Sequence, residues 1–279
     1  MSPGGAKKNK KQPFLSMQEE MTFWEHLDVL RGDIMKVLAV TAVFAAVAFC
    51  LRDELFKIVL APSTSDFVTY RLLGTEPFRI SLINVGLTEQ FMVHMKTALV
   101  AGLYMASPYV ICALYGFIAP ALYKRERHHA VRIVTAAYVM FIVGTLASYF
   151  LVFPLTVRFL GTYQVSEAVT NMLSLQSYID TFLLLSLVFG IVFELPVVSW
   201  LLALFGLLRP EWMTRYRRHA IVAIIIVAAV ITPTGDAFTL FFVSLPIWLL
   251  YEASIVVVRL TAKSADKSKR QPQTNEATT

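Results

Sequence analysis

Residues 116–127 read Gly-Phe-Ile-Ala-Pro-Ala-Leu-Tyr-Lys-Arg-Glu-Arg, and this segment joins two long apolar runs. Its second half places three cations, Lys124, Arg125 and Arg127, around a single carboxylate, Glu126. A carboxylate at the mouth of a membrane bundle can hold a guanidinium in a two-pronged, charge-assisted pair. Two interpretations stay open from this loop alone: Glu126 binds a cationic peptide, or it only tempers the charge of a solvated basic loop.

The composition indicates an all-α integral membrane protein. Of the 279 residues, 57% are hydrophobic and 16% are charged, whereas a soluble domain is about half apolar and about a quarter charged. The two cysteines, Cys50 and Cys112, each lie inside an apolar run without ligand-like neighbours. We therefore expect them to be small buried apolar residues, and neither a metal site nor a disulfide pair.

Six apolar runs predict six membrane-spanning helices. The runs cover about residues 37–51, 97–117, 131–153, 178–205, 220–231 and 238–258. The fifth run would reach only about 18 Å as a helix, whereas the hydrocarbon core of a bilayer is about 30 Å thick. The fifth and sixth helices are thus expected to be short, and the fifth either borrows residues 216–219 or lies where the membrane thins.

The placement of the cations predicts the orientation and the domain limits. Nineteen of the 25 lysines and arginines fall in the two termini and in the loops after the second and fourth runs. The positive-inside rule therefore places both termini in the cytoplasm. We expect a disordered basic tail over residues 1–20, a membrane domain over 21–260 and a disordered cytoplasmic tail over 261–279.

Two polar segments flank the first run. Residues 22–36 carry an apolar stripe at helical spacing and a capping-box pair, Thr22 and Glu25. This pattern predicts an amphipathic helix that lies at the membrane surface and runs into the first span. Residues 52–95 form the longest polar connection, and we expect a structured external cap there, with a second amphipathic piece near residues 53–60.

The fourth run contains Glu194, and a charge at this depth costs about 3 kcal/mol on insertion scales. Pro196 follows it and cannot donate to the carbonyl of Val192, so the helix should kink there. Glu194 is either a polar contact toward a cavity, the bundle interior or a partner helix, or a protonated acid bonded to a freed carbonyl. After the fifth run, Pro233 ends one helix and Asp236 fits the N-cap of the next.

The sequence offers no positive case for an enzyme or a metal site. The histidines lie at different ends of different helices, and only His128 and His129 adjoin. Neither a phosphate-binding glycine loop nor a serine nucleophile motif nor a paired-carboxylate signature occurs. We therefore expect no cofactor, no metal and no catalytic residue.

Several motifs, in order, resemble the TatC family, the multispanning receptor subunit of the twin-arginine protein translocase. His26-Leu27-Asp28-Val29-Leu30-Arg31 is similar to the family's His-Leu-x-Glu-Leu-Arg start. The other motifs are Ala61-Pro62, Pro77-Phe78, Thr88-Glu89-Gln90-Phe91, Phe117 to Arg127, Phe193-Glu194-Leu195-Pro196 and Thr232-Pro233…Asp236. The resemblance covers about residues 21–260.

The resemblance implies a cupped bundle of six transmembrane helices in the cytoplasmic (inner) membrane. It implies a receptor and core subunit that binds Arg-Arg signal peptides of folded cargo proteins and supports export driven by the proton-motive force. The implied partners are single-span TatA/TatB-type subunits, further copies of the chain and membrane lipids, with no nucleic acid.

The resemblance also implies roles for particular residues. Glu126 matches the family's loop glutamate for the twin arginines, with Phe117 and Arg127 on the same loop. Glu194 matches a glutamate associated with partner subunits; Pro196 and Asp236 are grouped with it. Structural roles are expected for Pro62, Pro120 and Pro233.

The family's N-terminal glutamate falls on Val29 here, which cannot bind a cation. We expect Glu25 or Asp28 to supply the second carboxylate, with Asp33 less favoured because it approaches the first span.

Three rival functions stay open. A secondary transporter or ion channel would use Glu194 as a midplane site. A membrane-embedded protease would need a nucleophile or metal motif inside a span, and a scaffold would bind only other membrane helices.

Overall fold

The structure is a computed structural model that describes residues 23–74, 78, 80–118, 130–164, 166, 172–232 and 236–276. Within them the chain is almost entirely helical. The α-helices are α1 (Phe23–Cys50), α2 (Arg52–Leu60), α3 (Val68–Leu72), α4 (Glu89–Ile118), α5 (Ala130–Ala147), α6 (Phe153–Thr162), α7 (Leu175–Val192), α8 (Leu195–Leu204), α9 (Pro210–Arg215), α10 (Arg217–Ile231) and α11 (Ala237–Glu276). A 3-10 helix covers Ala61–Ser63, a π-helical segment covers Ser148–Val152, and the strands are β1 (Leu82–Ile83) and β2 (Leu173–Ser174).

Five of the described helical segments are long and apolar enough to cross a membrane. They are Leu27–Cys50, Glu89–Phe117, Val131–Thr162, Leu175–Leu204 and Ala237–Lys263. The fifth apolar run forms α10, which takes in Arg217–His219 but still has only 15 residues, or about 22 Å of helix. The count of six spans therefore stays a prediction, as do the cupped shape and the cytoplasmic termini.

The prediction of a short sixth helix is wrong. Its membrane part, Ala237–Lys263, has 27 residues, and the backbone stays helical to Glu276, into the region predicted to be a disordered tail. Residues 259–271 are rich in Ala, Lys and Arg and contain neither glycine nor proline. These residue types favour a helix, so the loss of hydrophobicity did not mark the end of the helix.

The first span and the amphipathic segment before it form one continuous helix, α1. This agrees with the prediction that the segment runs into the first span, since no proline interrupts residues 23–50. The placement of its first part at the membrane surface stays a prediction. Helix α1 packs along α4, and Gly102 lies in close contact with the backbone of α1. A Cβ atom added there would lie 2.5 Å from the backbone nitrogen of Ala45.

The third span continues past Pro154, where the sequence predicted its end. The π-helical segment Ser148–Val152 leads into α6, and Pro154 is the second residue of α6. A proline is tolerated in the first turn of a helix because its missing N–H has no intrahelical partner there. Because Pro154 has no N–H to donate to the Phe150 carbonyl four residues earlier, that carbonyl can accept the Thr69 hydroxyl from α3.

The fourth span is broken at Phe193–Glu194, between α7 and α8, which confirms the predicted kink before Pro196. The amide of Glu194 donates to the Ile191 carbonyl at 3.0 Å, a tighter turn than that of an α-helix. Gly144 of α5 packs against this break. A Cβ atom at Gly144 would lie 2.5 Å from the Phe189 carbonyl oxygen.

The predicted cap is confirmed as an ordered structure over its described residues, and its position outside the membrane stays a prediction. Its α2, 3-10 helix, α3 and strand β1 follow the first span, and β1 pairs in parallel with β2, which precedes α7. Tyrosine hydroxyls bind this cap to the third and fourth spans. The Tyr149 hydroxyl donates to the Ile58 carbonyl at 2.8 Å, and the Tyr178 hydroxyl donates to the Val59 carbonyl at 3.0 Å.

Tyr70 of α3 is the most deeply buried of these anchors. Its hydroxyl oxygen lies 2.9 Å from the carbonyl oxygens of both Pro62 and Pro154, and its ring contacts Phe78 edge to face. Burial raises the pKa of the Tyr70 hydroxyl, so the group stays protonated and remains a donor.

The interior of the bundle is built from the third and fourth spans and α11. Phe153, Ile179, Leu185, Phe189 and Val243 are completely buried in it. By contrast, Cys50 and Cys112 are exposed, so the prediction that they are buried is wrong. An apolar residue of a membrane span can face outward, since lipid replaces the protein interior around it.

Candidate functional site

One end of the bundle brings together the N-terminal part of α1 and the C-terminal end of α4. The His94 ring of α4 lies 3.1 Å from the Phe49 carbonyl of α1, and Gly102 packs on Ala45. These contacts make the two helices antiparallel, and equal rise along both places Asp28 level with the last turn of α4. Asp28 is exposed there, and Phe117 is half-buried at the end of α4.

Several residues predicted for this site lie outside the described part of the chain. These are Pro120, Glu126 and Arg127 in the loop after α4, and Pro233 before α11. The side chain of Glu25 is also outside it, although its backbone belongs to the first turn of α1. The structure thus brings Asp28 and Phe117 to the same end of the bundle, and the role of Glu126 stays a prediction.

Glu194 occupies the break in the fourth span. Its side chain is half-buried, and its Oε1 atom is buried without a hydrogen-bond partner among the described residues. The break arises because Pro196 has no N–H to donate. The next amide that donates back across it belongs to Val198 and reaches the Glu194 carbonyl at 2.9 Å. A polar oxygen that lacks a partner at this depth can accept a hydrogen bond from another molecule.

The remaining predicted residues have local structural roles. The Oδ1 atom of Asp236 accepts the Thr239 amide at 2.7 Å, which confirms that Asp236 caps α11. Pro62 is buried at the start of the 3-10 helix, and its carbonyl accepts from Tyr70. Pro196 lies in the first turn of α8 and Asp236 directly before α11, so neither residue belongs to the loop after α4. Their contact with partner subunits stays a prediction.

An apolar cavity of about 270 Å³ lies beneath the cap, between the second, third and fourth spans. Its walls are mostly aliphatic and aromatic, and Thr97, Tyr104, Thr145 and Ser186 are among the few polar residues that line it. The hydroxyls of Tyr104 and Ser186 are buried without a hydrogen-bond partner among the described residues. The cavity therefore offers an apolar chain a place to bind beside a few hydrogen-bonding groups.

Glu89 is a major organiser of the cap, although its sequence motif suggested no role for it. Its carboxylate is buried and accepts four hydrogen bonds. The amides of Val85 and Gly86 donate to Oε2, each at 2.8 Å. The Gln176 amide, at 2.8 Å, and the Ser174 hydroxyl, at 3.0 Å, donate to Oε1.

Glu89 thereby joins three segments: the loop after β1, the start of α4 and the start of α7. A carboxylate with this many donors is strongly held in place. A sequence signal existed, because Glu89 follows Gly86 at the start of a long apolar run, where an acid favours a helix N-terminus.

The ion pair between Lys96 and Asp180 was also not anticipated. The Lys96 Nζ atom lies 2.8 Å from Asp180 Oδ1, and each side chain is about half exposed. The pair connects the second and fourth spans. The signal was present, since Asp180 lies inside the fourth apolar run and Lys96 directly precedes the second, and ionisable groups are rare in such segments.

Among the described residues, no group of three or more His, Cys, Asp or Glu side chains is arranged to hold a metal ion.

Comparison with known proteins agrees with the motifs and the helical fold. The family described as Sec-independent protein translocase protein (TatC) matches residues 25–246. The TatC protein of Koribacter versatilis is 33% identical over 253 residues, which cover 91% of this chain and 90% of that protein. The TatC protein of Deinococcus radiodurans is 32% identical over 249 residues, which cover 89% and 90%.

Two solved structures are also similar. A crystal structure described as the twin arginine translocase receptor TatC superposes with a TM-score of 0.72 at 31% identity, covering 85% of this chain and all of that one. A second structure of such a receptor, in DDM, gives a TM-score of 0.71 at 29% identity and covers 84% of this chain. The matched residues include α1, the second to fourth spans and the cap, and the chain therefore belongs to the TatC family of membrane-embedded protein translocase components.

Proposed function

We propose that the chain is the receptor and core subunit of a twin-arginine translocase in the cytoplasmic (inner) membrane, with both termini in the cytoplasm. It binds Arg-Arg signal peptides of folded cargo proteins and supports their export, which the proton-motive force drives. It works with single-span TatA/TatB-type subunits and with further copies of itself. It catalyses no hydrolysis in this scheme.

One feature supports peptide recognition above the others: Asp28 lies level with the last turn of α4, immediately before the loop that contains Glu126. This part of the chain is otherwise strongly cationic, so it repels a basic peptide in general. An exposed carboxylate in such surroundings offers a guanidinium a specific place, because the pair is bidentate and charge-assisted. Glu126 would hold one arginine of the signal peptide, and Glu25 or Asp28 would hold the other. Both arginines would lie beside Phe117 and Arg127.

The apolar part of the signal peptide binds between the second and fourth spans. The cavity beneath the cap is the support for this placement, since it lies between these spans and is lined mainly by apolar side chains. A peptide held by its arginines at the far end of α4 extends along this helix toward the cavity. The hydroxyl of Tyr104 would be available to its backbone.

The first test removes the charge of Glu126. Photo-crosslinking in proteoliposomes measures binding of an Arg-Arg signal peptide and of a matched Lys-Lys peptide. Because a charge-assisted hydrogen bond contributes about 1.5–3 kcal/mol, Glu126→Gln should weaken Arg-Arg binding by about tenfold or more. The variant should also lose most of the difference between the two peptides. Equal Arg-Arg binding by the native chain and Glu126→Gln contradicts the role of Glu126.

A second test asks which acid replaces the family glutamate at Val29. Glu25→Gln, Asp28→Asn and the double variant are compared in the same crosslinking assay. Asp33→Asn is the matched control, because Asp33 lies on the same helix but is paired with Lys36 at 3.1 Å. We expect the double variant to lose crosslinking and the control to keep it. If all four chains crosslink equally, neither Glu25 nor Asp28 holds the peptide.

Glu194, Pro196 and Asp236 are proposed to contact partner subunits. The support is the buried Oε1 atom of Glu194, which lacks a hydrogen-bond partner among the described residues. A polar group of a partner helix would supply one. Glu194→Leu should therefore reduce co-purification of single-span subunits, while Glu194→Gln, which keeps an acceptor, should retain most of it. If Glu194→Leu co-purifies single-span subunits as well as the native chain does, the Glu194 carboxyl does not contact these subunits.

The buried Oε1 atom of Glu194 also favours one alternative function. In that function the chain is a secondary transporter or ion channel that uses Glu194 as its ion site. Ion flux in proteoliposomes that contain this chain alone distinguishes the two. Flux that disappears in Glu194→Leu supports the transporter, and its absence in the native chain supports the receptor.

A further inference from the structure

The cap end of the bundle carries a cavity that none of the proposed binding steps uses. It has a volume of about 590 Å³ and lies where α2, α4 and the start of α7 meet. Arg52, Asp53, Gln90 and His94 supply its polar wall, and Phe56 and Phe91 supply part of its apolar wall. Because α1 ends at Cys50 and α4 begins at Glu89, the cavity lies at the level where the spans leave the apolar layer.

A second, apolar groove adjoins this cavity. Its volume is about 610 Å³, and it runs between α1 and α4, beside Phe49, Met92, Met95 and Leu99. Phe91 lines both spaces. The groove follows α4 from Phe91 to Leu99, about 12 Å of helix toward the middle of the spans. A charged cavity at the interface thus adjoins an apolar groove, with Phe91 between them.

The wall shared by the two spaces is held in position. The His94 ring stacks on Phe49 with the ring centres 4.0 Å apart, and Phe56 meets His94 edge to face. The His94 Nε2 atom lies 3.1 Å from the Phe49 carbonyl oxygen. His94 therefore serves as a fixed aromatic wall.

The charged groups of the cavity have both signs. Arg52 Nε lies 3.3 Å from Asp53 Oδ1, and both side chains are more than two-thirds exposed. An exposed ion pair of this kind contributes little to stability, so its members are available to a ligand. A guanidinium binds phosphate through paired N–H donors, and a neighbouring carboxylate binds an ammonium group that has N–H donors.

We propose that the cavity and groove bind a phosphatidylethanolamine molecule of the leaflet on the cap side. Arg52 binds its phosphate, Asp53 binds its ammonium group, and an acyl chain lies along the groove between α1 and α4. Phosphatidylglycerol lacks the ammonium group, and phosphatidylcholine carries a quaternary ammonium that has no N–H donor. The site therefore prefers phosphatidylethanolamine to both.

The test is native mass spectrometry of the purified full chain in detergent with an equimolar mixture of the three lipids, all with identical acyl chains. A charge-assisted hydrogen bond corresponds to about tenfold in affinity, and solvent reduces this at an exposed site. We therefore expect phosphatidylethanolamine to be retained about fivefold over the other two. Equal retention of all three lipids, or a preference for phosphatidylglycerol, overturns the proposal.

Two substitutions separate the two charges. Arg52→Gln should lower retention of all three lipids by a similar factor, because each contains a phosphate. Asp53→Asn should remove the preference for phosphatidylethanolamine and leave the other two lipids unchanged. The matched control is Lys57→Gln with Glu54→Gln, since these residues form the next ion pair of α2, at 2.7 Å, and do not line the cavity.

The control should retain the lipids like the native chain. If Arg52→Gln and the control behave alike, the headgroup site is refuted. Met95→Trp tests the groove independently of charge, because the larger side chain fills the space for the acyl chain. It should lower retention of all three lipids, and unchanged retention would refute the groove.

Discussion

The hydroxyl of Tyr70 is the contact through which the cap can be tested most directly. It lies 2.9 Å from the carbonyl oxygens of Pro62 in the cap and Pro154 in the third span. A hydroxyl has one proton, so it donates to one of these carbonyls at a time. Tyr70→Phe removes the donor and keeps the ring, which packs edge to face on Phe67 and Phe78.

The expected cost follows from these contacts. A net hydrogen bond contributes about 0.5–1.5 kcal/mol, and a buried acceptor left without its partner costs about 1–3 kcal/mol. We expect Tyr70→Phe to lower the stability by about 1–3 kcal/mol. For a chain of this size each kcal/mol corresponds to about 2–4 °C, so the unfolding midpoint should fall by roughly 2–12 °C.

The assay is thermal unfolding of the purified chain in detergent, followed by far-ultraviolet circular dichroism at one scan rate. Tyr138→Phe is the matched control, because Tyr138 lies in α5, is about one-third exposed and makes no hydrogen bond through its hydroxyl among the described residues. We expect the control to unfold within about 1 °C of the native chain. If Tyr70→Phe unfolds at the same temperature as Tyr138→Phe, the hydroxyl does not hold the cap on the bundle.

Three further substitutions test other contacts. Glu89→Gln should make the loops around β1 and β2 more sensitive to protease in proteoliposomes, because a neutral amide accepts fewer and weaker hydrogen bonds; sensitivity equal to that of the native chain would contradict its organising role. Gly102→Ala should lower the unfolding temperature, because the added Cβ atom meets the α1 backbone. Gly116→Ala is the control and should not lower it, because nothing lies within 4 Å of its Cβ position. Equal effects of the two substitutions would refute the close packing at Gly102. Asp236→Ala should cost about 1 kcal/mol through the lost N-cap and Asp236→Asn much less; equal losses would show that the cap contributes nothing.

The helices could be predicted from the sequence because hydrophobic periodicity and chain breakers act locally. Pro196 cannot donate a hydrogen bond wherever it lies, so a break before it follows from the residue type alone. Pro154 has the same chemistry but did not end its helix. The π-helical segment before it places Pro154 in a first turn, where no N–H is needed, and the sequence carries no local sign of that segment.

The contacts that hold the cap could not be predicted in the same way. Tyr70 and Pro154 are 84 residues apart, and Glu89 and Gln176 are 87 residues apart. Each such contact depends on how two helices pack, and one sequence gives no measure of their separation. The sequence could show that the cap is ordered, since long loops without structure are uncommon, but not which hydroxyls bind it.

The roles of the acidic residues also could not be predicted from the sequence. Whether a carboxylate is buried or exposed decides whether it has a structural role or can bind a ligand. Asp28 and Glu89 are both carboxylates near the start of a long apolar helix, and a binding role was expected for Asp28 and none for Glu89. In the structure Glu89 is buried with four donors, so no lone pair remains for a guanidinium. Asp28 is exposed and can exchange water for an arginine at little desolvation cost. Of these two acids, only Asp28 is therefore available to a peptide, and it lies at the end of the bundle opposite the cap.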